Sequence, residues 1–407
     1  MRMRKRFHFD FTSCFRDVRT STVWAVLCLA VCVFGVGISA TAQWPPIIPI
    51  NPPGVGTSAG LGTQGPGINP QGAVTGFFSD SNNVMHGFLR TPDGRITTFE
   101  APGAGDETVT GFVSTTIPGV DGGQGTYAIS INQAGAITGF YIDGSNVAHG
   151  FLRTPDGKFA PPIDASSQYA GTGPGQGTYA ANINPTGAIA GNTVDGSGVN
   201  HGFVLADGKF TIFDAPHAGT APGQGTIPEW ASCINPAGAI TGLYIDGGWL
   251  MHGFVRTPHG HIAGFEASGA GTSAGQGTWG TNINPAGAIT GGYVDEANMT
   301  HGYVRAPDGT ISSIDVPIAV QGTIPEGINS AGVIIGNYLD EKGANHGFVY
   351  TPDGKFWYFD VPGAGTGSGQ GTIPLTNNDA GAITGTYIDD AGVIHGFLRP
   401  VGPPWTW

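Results

Sequence analysis

Short runs of β-branched and aromatic residues alternate along the chain with turn sequences rich in glycine and proline. Residues 239–245, 252–257 and 355–360 are examples of the runs, and each is long enough for one strand. The turns follow the patterns Asn-Pro-x-Gly, as at 235–238, and Thr-Pro-Asp-Gly, as at 351–354. Pro in the second position and Gly in the fourth are typical of type I turns. The pattern therefore predicts an all-β chain of short antiparallel strands.

One arrangement of polar residues recurs seven times and defines seven repeat units. Each unit contains an Asn, an Asp eleven residues after it and a His seventeen residues after it. The Asn residues of units 1 to 7 are Asn69, Asn132, Asn184, Asn235, Asn284, Asn329 and Asn378. Consecutive Asn residues are 45 to 63 residues apart. This spacing is typical of propeller blades and other stacked supersecondary units.

Each unit contains four predicted strands: Gln-Gly-Thr up to the Asn, the Gly-Ala-Ile-Thr-Gly run, the His-Gly-Phe run and the Phe-Asp-x-Pro run. A Gly-rich crossover then leads to the next unit. Seven such units predict a seven-bladed β-propeller. The last unit has no fourth strand after Arg399, and residues 44–50 align with the fourth strands of the other units. We expect this N-terminal strand to complete the last blade, which removes exposed sheet edges. A β-solenoid is the alternative, although its coils are normally shorter and more uniform.

The first 42 residues differ from the rest of the chain. Six Lys and Arg residues lie ahead of the apolar run 23–38, and Ala40-Thr41-Ala42 follows it. This order is typical of a secretory signal peptide. We predict cleavage after Ala42, a secreted product, extracellular or periplasmic, and a single domain over 43–407. An uncleaved membrane anchor is the alternative, but 16 apolar residues are short for about 30 Å of hydrocarbon.

The charge of the predicted mature chain narrows the classes of partner. Without residues 1–42 the chain has 10 basic and 27 acidic residues, a net charge of −17. Such a field repels phosphate backbones and anionic lipids, so we expect neither nucleic acid nor a membrane as a partner. Carbohydrates and extracellular proteins remain as partners. Cys233 is the only cysteine after the leader, so no internal disulfide is expected. We predict a monomer without a cofactor.

The His-Gly-Phe segments, together with the preceding Asn-x-x-Gly-x-Ile-x-Gly pattern, carry a family resemblance. They resemble the extracellular HAF repeats, which are named after a His-Ala-Phe core. Gly replaces the Ala in every unit of this chain. The resemblance covers nearly everything after the leader and implies a secreted repeat protein. It implies no catalytic residue.

The recurring Asp and His residues flank the connection between the second and third predicted strands. The side chains that flank a short hairpin loop can meet across the ladder, so Asp can accept hydrogen bonds from the loop backbone or from His. We interpret the pairs as structural clamps, one per unit. A ring of metal sites is the alternative, although no calcium-loop or zinc motif is present. The pairs are Asp80 and His86, Asp143 and His149, Asp195 and His201, Asp246 and His252, Asp295 and His301, Asp340 and His346, and Asp389 and His395.

A site for a single ligand is expected where one unit departs from the others, and unit 4 departs most. Its first strand contains an insertion with Glu229 and Trp230, its second connection contains Trp249, and the crossover that enters it contains His217. The second connection and the crossovers share one face of a four-stranded meander. We therefore predict that His217 and Trp249 form a ligand-binding surface, with Trp230 and Glu229 at its rim. The alternative is that the tryptophans only pack against each other.

The sequence favours a secreted, non-catalytic repeat protein that binds a carbohydrate or a protein partner. We identify no catalytic residues: the chain contains no serine-nucleophile elbow and no zinc-peptidase motif. Two other functions remain as alternatives. One is an exported lyase or hydrolase built on the propeller, and the other is a structural component of a surface or matrix.

Overall fold

The computed structural model describes residues 46–107, 123–228 and 232–401. Within these ranges the chain forms 27 β-strands and no helix, and we number the strands in chain order. Each unit contributes strands in a fixed order. The first strands are β2 (Thr63–Ile68), β6 (Gly125–Ile131), β9 (Gly177–Ile183), β13 (Gly225–Pro228), β17 (Gly277–Ile283), β21 (Gly322–Ile328) and β25 (Gly371–Asn377). The second strands are β3 (Val74–Ser79), β7 (Ile137–Ile142), β10 (Ile189–Val194), β14 (Ile240–Ile245), β18 (Ile289–Val294), β22 (Ile334–Leu339) and β26 (Ile383–Ile388).

The third strands begin at or next to the recurring His. They are β4 (Met85–Arg90), β8 (Ala148–Arg153), β11 (Asn200–Ala206), β15 (Met251–Arg256), β19 (Thr300–Arg305), β23 (Asn345–Tyr350) and β27 (Ile394–Arg399). The outer strands are β5 (Ile96–Phe99), β12 (Lys209–Phe213), β16 (Ile262–Phe265), β20 (Ile311–Ile314), β24 (Phe356–Phe359) and the N-terminal β1 (Ile48–Ile50). The predicted leader, residues 1–42, lies outside the described residues. No helix that could span a membrane occurs in the described ranges.

Successive strands of a unit pair antiparallel, and β1 takes the outer position beside β27. Ile50 pairs with Gly396 there, as Phe99 pairs with Gly87 in unit 1. Unit 2 departs from the predicted four strands. In place of an outer strand it has two isolated bridges, which join Ile163 to Gly150 and Phe159 to Arg153. The residues between them include Pro161 and Pro162, which lack the N–H donors that a continuous ladder requires.

A glycine joins each unit to the one before it. Gly125 bridges in parallel to Met85 across the boundary between units 1 and 2, at φ 118°, and a Cβ added there would lie 2.1 Å from the Met85 carbonyl oxygen. Only glycine fits such a close approach of two backbones. The parallel bridge recurs at each later boundary, and the one between Gly62 and Ile394 links the first unit to the last.

The seven Asn residues form a closed ring of hydrogen bonds. Each Asn is buried, and its Oδ1 accepts the N–H of the residue four positions later at 2.9–3.0 Å. Its Nδ2 donates to the backbone carbonyl of the next unit's Asn at 3.0–3.4 Å. The last of these bonds runs from Asn378 Nδ2 to the Asn69 carbonyl at 3.0 Å. The described part of the chain therefore returns upon itself.

The core lies between neighbouring sheets. The aromatic residue that follows each His-Gly pair is at most 2% exposed in every unit, and burial of such a side chain contributes about 1.5–3 kcal/mol. These residues are Phe88, Phe151, Phe203, Phe254, Tyr303, Phe348 and Phe397. The fold is thus all-β, with its apolar side chains packed between successive units.

Candidate functional site

The antiparallel order divides the connections between two faces. Ser79 pairs with Met85 at one end of the strands, and Val74 pairs with Arg90 at the other. The first end carries the connections between second and third strands and the crossovers between units. We call it the crossover face. The opposite end carries the remaining turns and the Asn ring, and we call it the turn face.

Each recurring Asp closes its own loop on the crossover face. Asp80 Oδ1 accepts the N–H groups of Asn82 and Val84 at 2.8 and 2.9 Å. The other six aspartates accept the equivalent pairs at 2.8–3.0 Å. One carboxylate oxygen therefore satisfies two backbone donors in each loop and leaves Oδ2 for the imidazole.

The imidazole ring of each His lies beside this carboxylate, and in six units it also contacts a second one. His Nε2 is 3.0–3.7 Å from the loop Asp Oδ2 in all seven units. In units 1 to 6, His Nδ1 contacts the acidic residue that follows the outer strand. The distance is 2.6–3.2 Å in five of these units, and in unit 4 the partner is Glu266. These six acids are Glu100, Asp164, Asp214, Glu266, Asp315 and Asp360. In unit 7 the equivalent residue is Asn51.

An aromatic ring covers the imidazole in six units. The partner is Phe78 in unit 1 and a Tyr of the second strand in units 2, 4, 5, 6 and 7, with centroids 4.6–5.1 Å apart and planes within 29°. In unit 3 the second strand has Thr193 at this place, and Tyr169 of the crossover contacts His201 edge-on at 5.4 Å. Each imidazole is thereby held by an aromatic ring, stacked in six units and edge-on in unit 3, and by one or two carboxylates.

These contacts decide what the recurring residues can do chemically. Both nitrogens of six imidazoles face carboxylates, and in His86, His149 and His201 this arrangement favours the doubly protonated ring. Within the ranges that the structure describes, no group of three or more His, Cys, Asp or Glu side chains is placed to hold a metal ion. The loop, the third strand and the start of the crossover meet at each imidazole.

The ion pairs predict a stability maximum in mildly acidic solution. Hydrogen bonds that the imidazoles donate to Glu100, Asp164 and Asp214 raise the pKa of His86, His149 and His201, against an opposing effect of burial. A backbone N–H lowers the pKa of Asp295 and of Asp340, and His395 lowers that of Asp389. The His contribution is complete below the unfolded pKa of about 6.5 and is lost as pH rises through the folded value. The Asp contribution is present above about pH 3.9 and is lost as pH falls through the folded value.

We therefore expect the urea midpoint of unfolding to fall between pH 6 and pH 9. His149→Gln is expected to make this fall shallower, because it removes one imidazole. The control His261→Gln changes a residue of the turn face and is expected to leave the profile unchanged. A midpoint that is constant from pH 6 to pH 9 would contradict the argument.

Unit 4 carries two unusual residues on the crossover face. His217 and Trp249 are both exposed, Trp249 to 47%. Ala218, next to His217, bridges to Asp246, which opens the loop that contains Trp249. The Trp249 ring lies over the crossover, because a Cβ added to Gly223 would be 3.2 Å from its Cη2. The structure thus brings the predicted His217 and Trp249 segments together. Glu229 and Trp230 lie outside the described residues.

Both residues adopt a left-handed backbone conformation. At the position of Trp249 (φ 65°) the other units have Asn or Gly, all with positive φ. At the position of His217 (φ 71°) four other units have Gly, at φ 88–108°. This conformation costs an L-residue other than glycine about 1–2 kcal/mol, with Asn better tolerated. Such strain occurs preferentially at functional sites. The sequence contained the signal, since Asn and Gly are the two residues that accept this conformation.

Comparisons with known proteins support the fold and leave the activity open. No protein-family model and no curated protein matches the chain, so the HAF resemblance gains no support from them. A streptogramin B lyase structure is similar at a TM-score of 0.52 and 16% identity, covering 86% of this chain and 96% of the lyase. A catalytically inactive virginiamycin B lyase from Staphylococcus aureus, with quinupristin, is similar at a TM-score of 0.51 and 14% identity, covering 88% and 100%.

The BP39L lectin from Burkholderia pseudomallei is similar at a TM-score of 0.47 and 12% identity, covering 85% of this chain and 97% of the lectin. That score is too low to support an argument. The two lyases are propeller-type proteins, and their likeness supports a β-propeller fold. At these identities it carries no information about activity.

Proposed function

We propose that the chain is a secreted, seven-bladed β-propeller that binds a partner and does not catalyse a reaction. In this proposal each repeat unit is one four-stranded blade of a single domain over 43–407, residues 1–42 are the signal peptide, and β1 completes the last blade. The closed ring of Asn bonds, the bridge from Ile394 to Gly62 and the pairing of β1 with β27 support this count. The Asp–His pairs act as blade clamps and not as reacting groups.

The ligand site is the corner of blade 4 that contains His217 and Trp249, with Glu229 and Trp230 at its rim. The observation that carries this assignment is that Trp249 is exposed and has a left-handed backbone conformation, whereas Asn or Gly occupies the equivalent position in the other blades. A large apolar ring held in solvent at a cost in stability suits the apolar face of a sugar or the side chain of a partner protein. Folding alone gives no reason to place Trp at this position.

The test separates binding from stability. The protein 43–407 is applied to an array of oligosaccharides and extracellular peptides, with Trp249→Asn in parallel. We expect Trp249→Asn to abolish the signal while the free energy of unfolding stays within about 1 kcal/mol, because relief of strain offsets the lost contact with Gly223. A signal that survives this change would refute the assigned site.

His217→Gly provides a second test at the same corner. Because His217 is exposed and four other units have Gly here, we expect this change to raise the free energy of unfolding by up to about 1 kcal/mol. A matched control for Trp249 is Asn298→Trp, which places Trp at the position of unit 5 that is equivalent to Trp249. We expect it to destabilise the protein by about 1 kcal/mol without creating a new array signal. Thermal unfolding measures both changes.

An exported lyase is the second candidate, because two proteins of similar fold are lyases. Incubation of the protein with quinupristin, followed by liquid chromatography and fragmentation mass spectrometry, tests it directly, because ring opening by a lyase gives a linear isomer of the same mass. We expect the retention time and the fragmentation pattern to stay unchanged. Cleavage that depends on this protein would replace the binding function by a catalytic one.

A further inference from the structure

The two faces of the molecule differ sharply in charge. Of the 25 carboxylates among the described residues, 18 lie on the crossover face: the seven loop aspartates, the six acids that contact His Nδ1, and five others in the loops and crossovers. Six lie on the turn face. The described ranges contain ten Lys and Arg residues, of which nine lie on the turn face and one, Lys342, lies on the crossover face. Trp249 is therefore exposed on the acidic side of the molecule.

The recurring His residues do not neutralise this face. There are 18 carboxylates for seven such imidazoles and one lysine, so the crossover face stays negative even when every imidazole is protonated. The acids that contact His Nδ1 are themselves 45–55% exposed at the side chain. Their charges remain accessible to a molecule that approaches from solvent.

Each of the segments that meet at the Trp249 corner contains a carboxylate. Asp246 opens the Trp249 loop, and Asp214 lies three residues before His217 in the crossover. Gly223, which lies under the Trp249 ring, donates its N–H to the Gly198 carbonyl in the loop that Asp195 opens. An indole face among carboxylates attracts a cation through the ring and the charges together. Arginine suits both features, because its planar guanidinium stacks on an indole and pairs with a carboxylate.

We propose that the crossover face binds an arginine-rich polypeptide segment, with one guanidinium over the indole of Trp249. This inference rests on the proposed binding function and specifies the chemistry of its partner. A neutral sugar would make no use of the charge difference between the faces. A polypeptide with several cations reaches Trp249 and the neighbouring acidic loops at once, and the field steers its approach.

Fluorescence anisotropy of labelled peptides tests the proposal. The probes are an arginine-rich peptide, a lysine-rich peptide of equal charge and a glutamate-rich peptide, each with the protein 43–407. We expect the arginine peptide to bind most tightly, the glutamate peptide not to bind, and affinity to fall as salt is raised. Trp249→Asn is expected to weaken binding of the arginine peptide about fivefold to tenfold, the size of a cation–π contact.

Charge variants provide matched controls. Glu296 and Glu341 are exposed loop acids of the crossover face outside the His contacts. The double variant Glu296→Gln/Glu341→Gln is expected to weaken binding of the arginine peptide and to lower its salt dependence. The double variant Asp207→Asn/Asp308→Asn removes two charges from the turn face and is expected to change neither the affinity nor the salt dependence. Equal weakening by the two pairs would overturn the assignment to the crossover face.

The outcomes separate this inference from the proposed function. If neutral oligosaccharides or deacetylated amino sugars give a Trp249-dependent signal and the arginine peptide gives none, the binding site stands and the polypeptide partner is wrong. If no probe depends on Trp249, both proposals fail. If the arginine peptide binds and Trp249→Asn does not weaken it, the guanidinium contact is wrong.

Discussion

Replacement of Ile50 by alanine is expected to lower the free energy of unfolding by about 2–5 kcal/mol, the range for removing a large buried aliphatic side chain. Ile50 is fully buried although it lies close to the start of the described residues. It packs with Ile68, Val74 and Phe88 of unit 1 and with Leu398 of unit 7. The side chain therefore joins the first and last units, and its loss leaves a cavity at their boundary. Urea unfolding monitored by tryptophan fluorescence measures the effect.

Pro49→Ala is the matched control, because Pro49 lies in the same strand but is exposed. We expect it to change the free energy of unfolding by less than about 1 kcal/mol. If Ile50→Ala is as mild as Pro49→Ala, β1 does not contribute to closure and the proposed ring of seven blades loses a main support. The comparison separates closure by β1 from a general sensitivity of the N-terminal segment.

The repeated pattern made the strands predictable, because glycine, proline and asparagine act through the local backbone. Strand positions follow from turns whose chemistry is contained within four residues. The fourth strand of unit 2 was wrongly expected, because Pro161 and Pro162 remove the donors that this ladder needs. The N-terminal strand was expected over 44–50 and is described as β1 (Ile48–Ile50).

Contacts between units could not be read from local pattern in the same way. The turn bond of Asn Oδ1 was expected, whereas the bond from Nδ2 to the next unit was missed, because its partner lies 45 to 63 residues away, or 309 at the closure. The second carboxylate beside the His of six units was also missed. The sequence contained a signal for it, since an acid follows Phe or Ile at the end of most outer strands. That signal is informative only once the outer strand is known to pair with the third strand.

The candidate site was predicted from departures from the repeat and not from the repeat itself. Trp249 and His217 were identified because they depart from the repeat, and the structure places their segments side by side. Their left-handed conformation was not anticipated, although Asn83, Gly198 and Asn298 at the Trp249 position indicate it in sequence. An alignment of the internal repeats can therefore reveal backbone strain, when each aligned position is examined for residues that tolerate positive φ.

Replacement of a ring asparagine by aspartate is the second change with a large expected effect. In Asn235→Asp the carboxylate can still accept the N–H of Ala239, but it loses the Nδ2 donor to the Asn284 carbonyl. A buried oxygen then faces a carbonyl oxygen without a proton between them. We expect the free energy of unfolding to fall by about 2–4 kcal/mol. The control is Asn298→Asp, an exposed acceptor of a bond from Gln276 that aspartate can keep, and we expect a change below about 0.5 kcal/mol.

The same substitution at Asn378 distinguishes a closed ring from an open array. The donor of Asn378 bonds to the Asn69 carbonyl, at the opposite end of the described chain. In a closed ring of seven equivalent blades, Asn378→Asp removes the same bond as Asn235→Asp and destabilises the protein equally. In an open array Asn378 would have no such partner, and its replacement would be milder by more than about 1 kcal/mol. Equal losses at the two positions, measured by urea unfolding at one pH, would mean that the first and last units meet through the same contact that joins every other pair of neighbouring units.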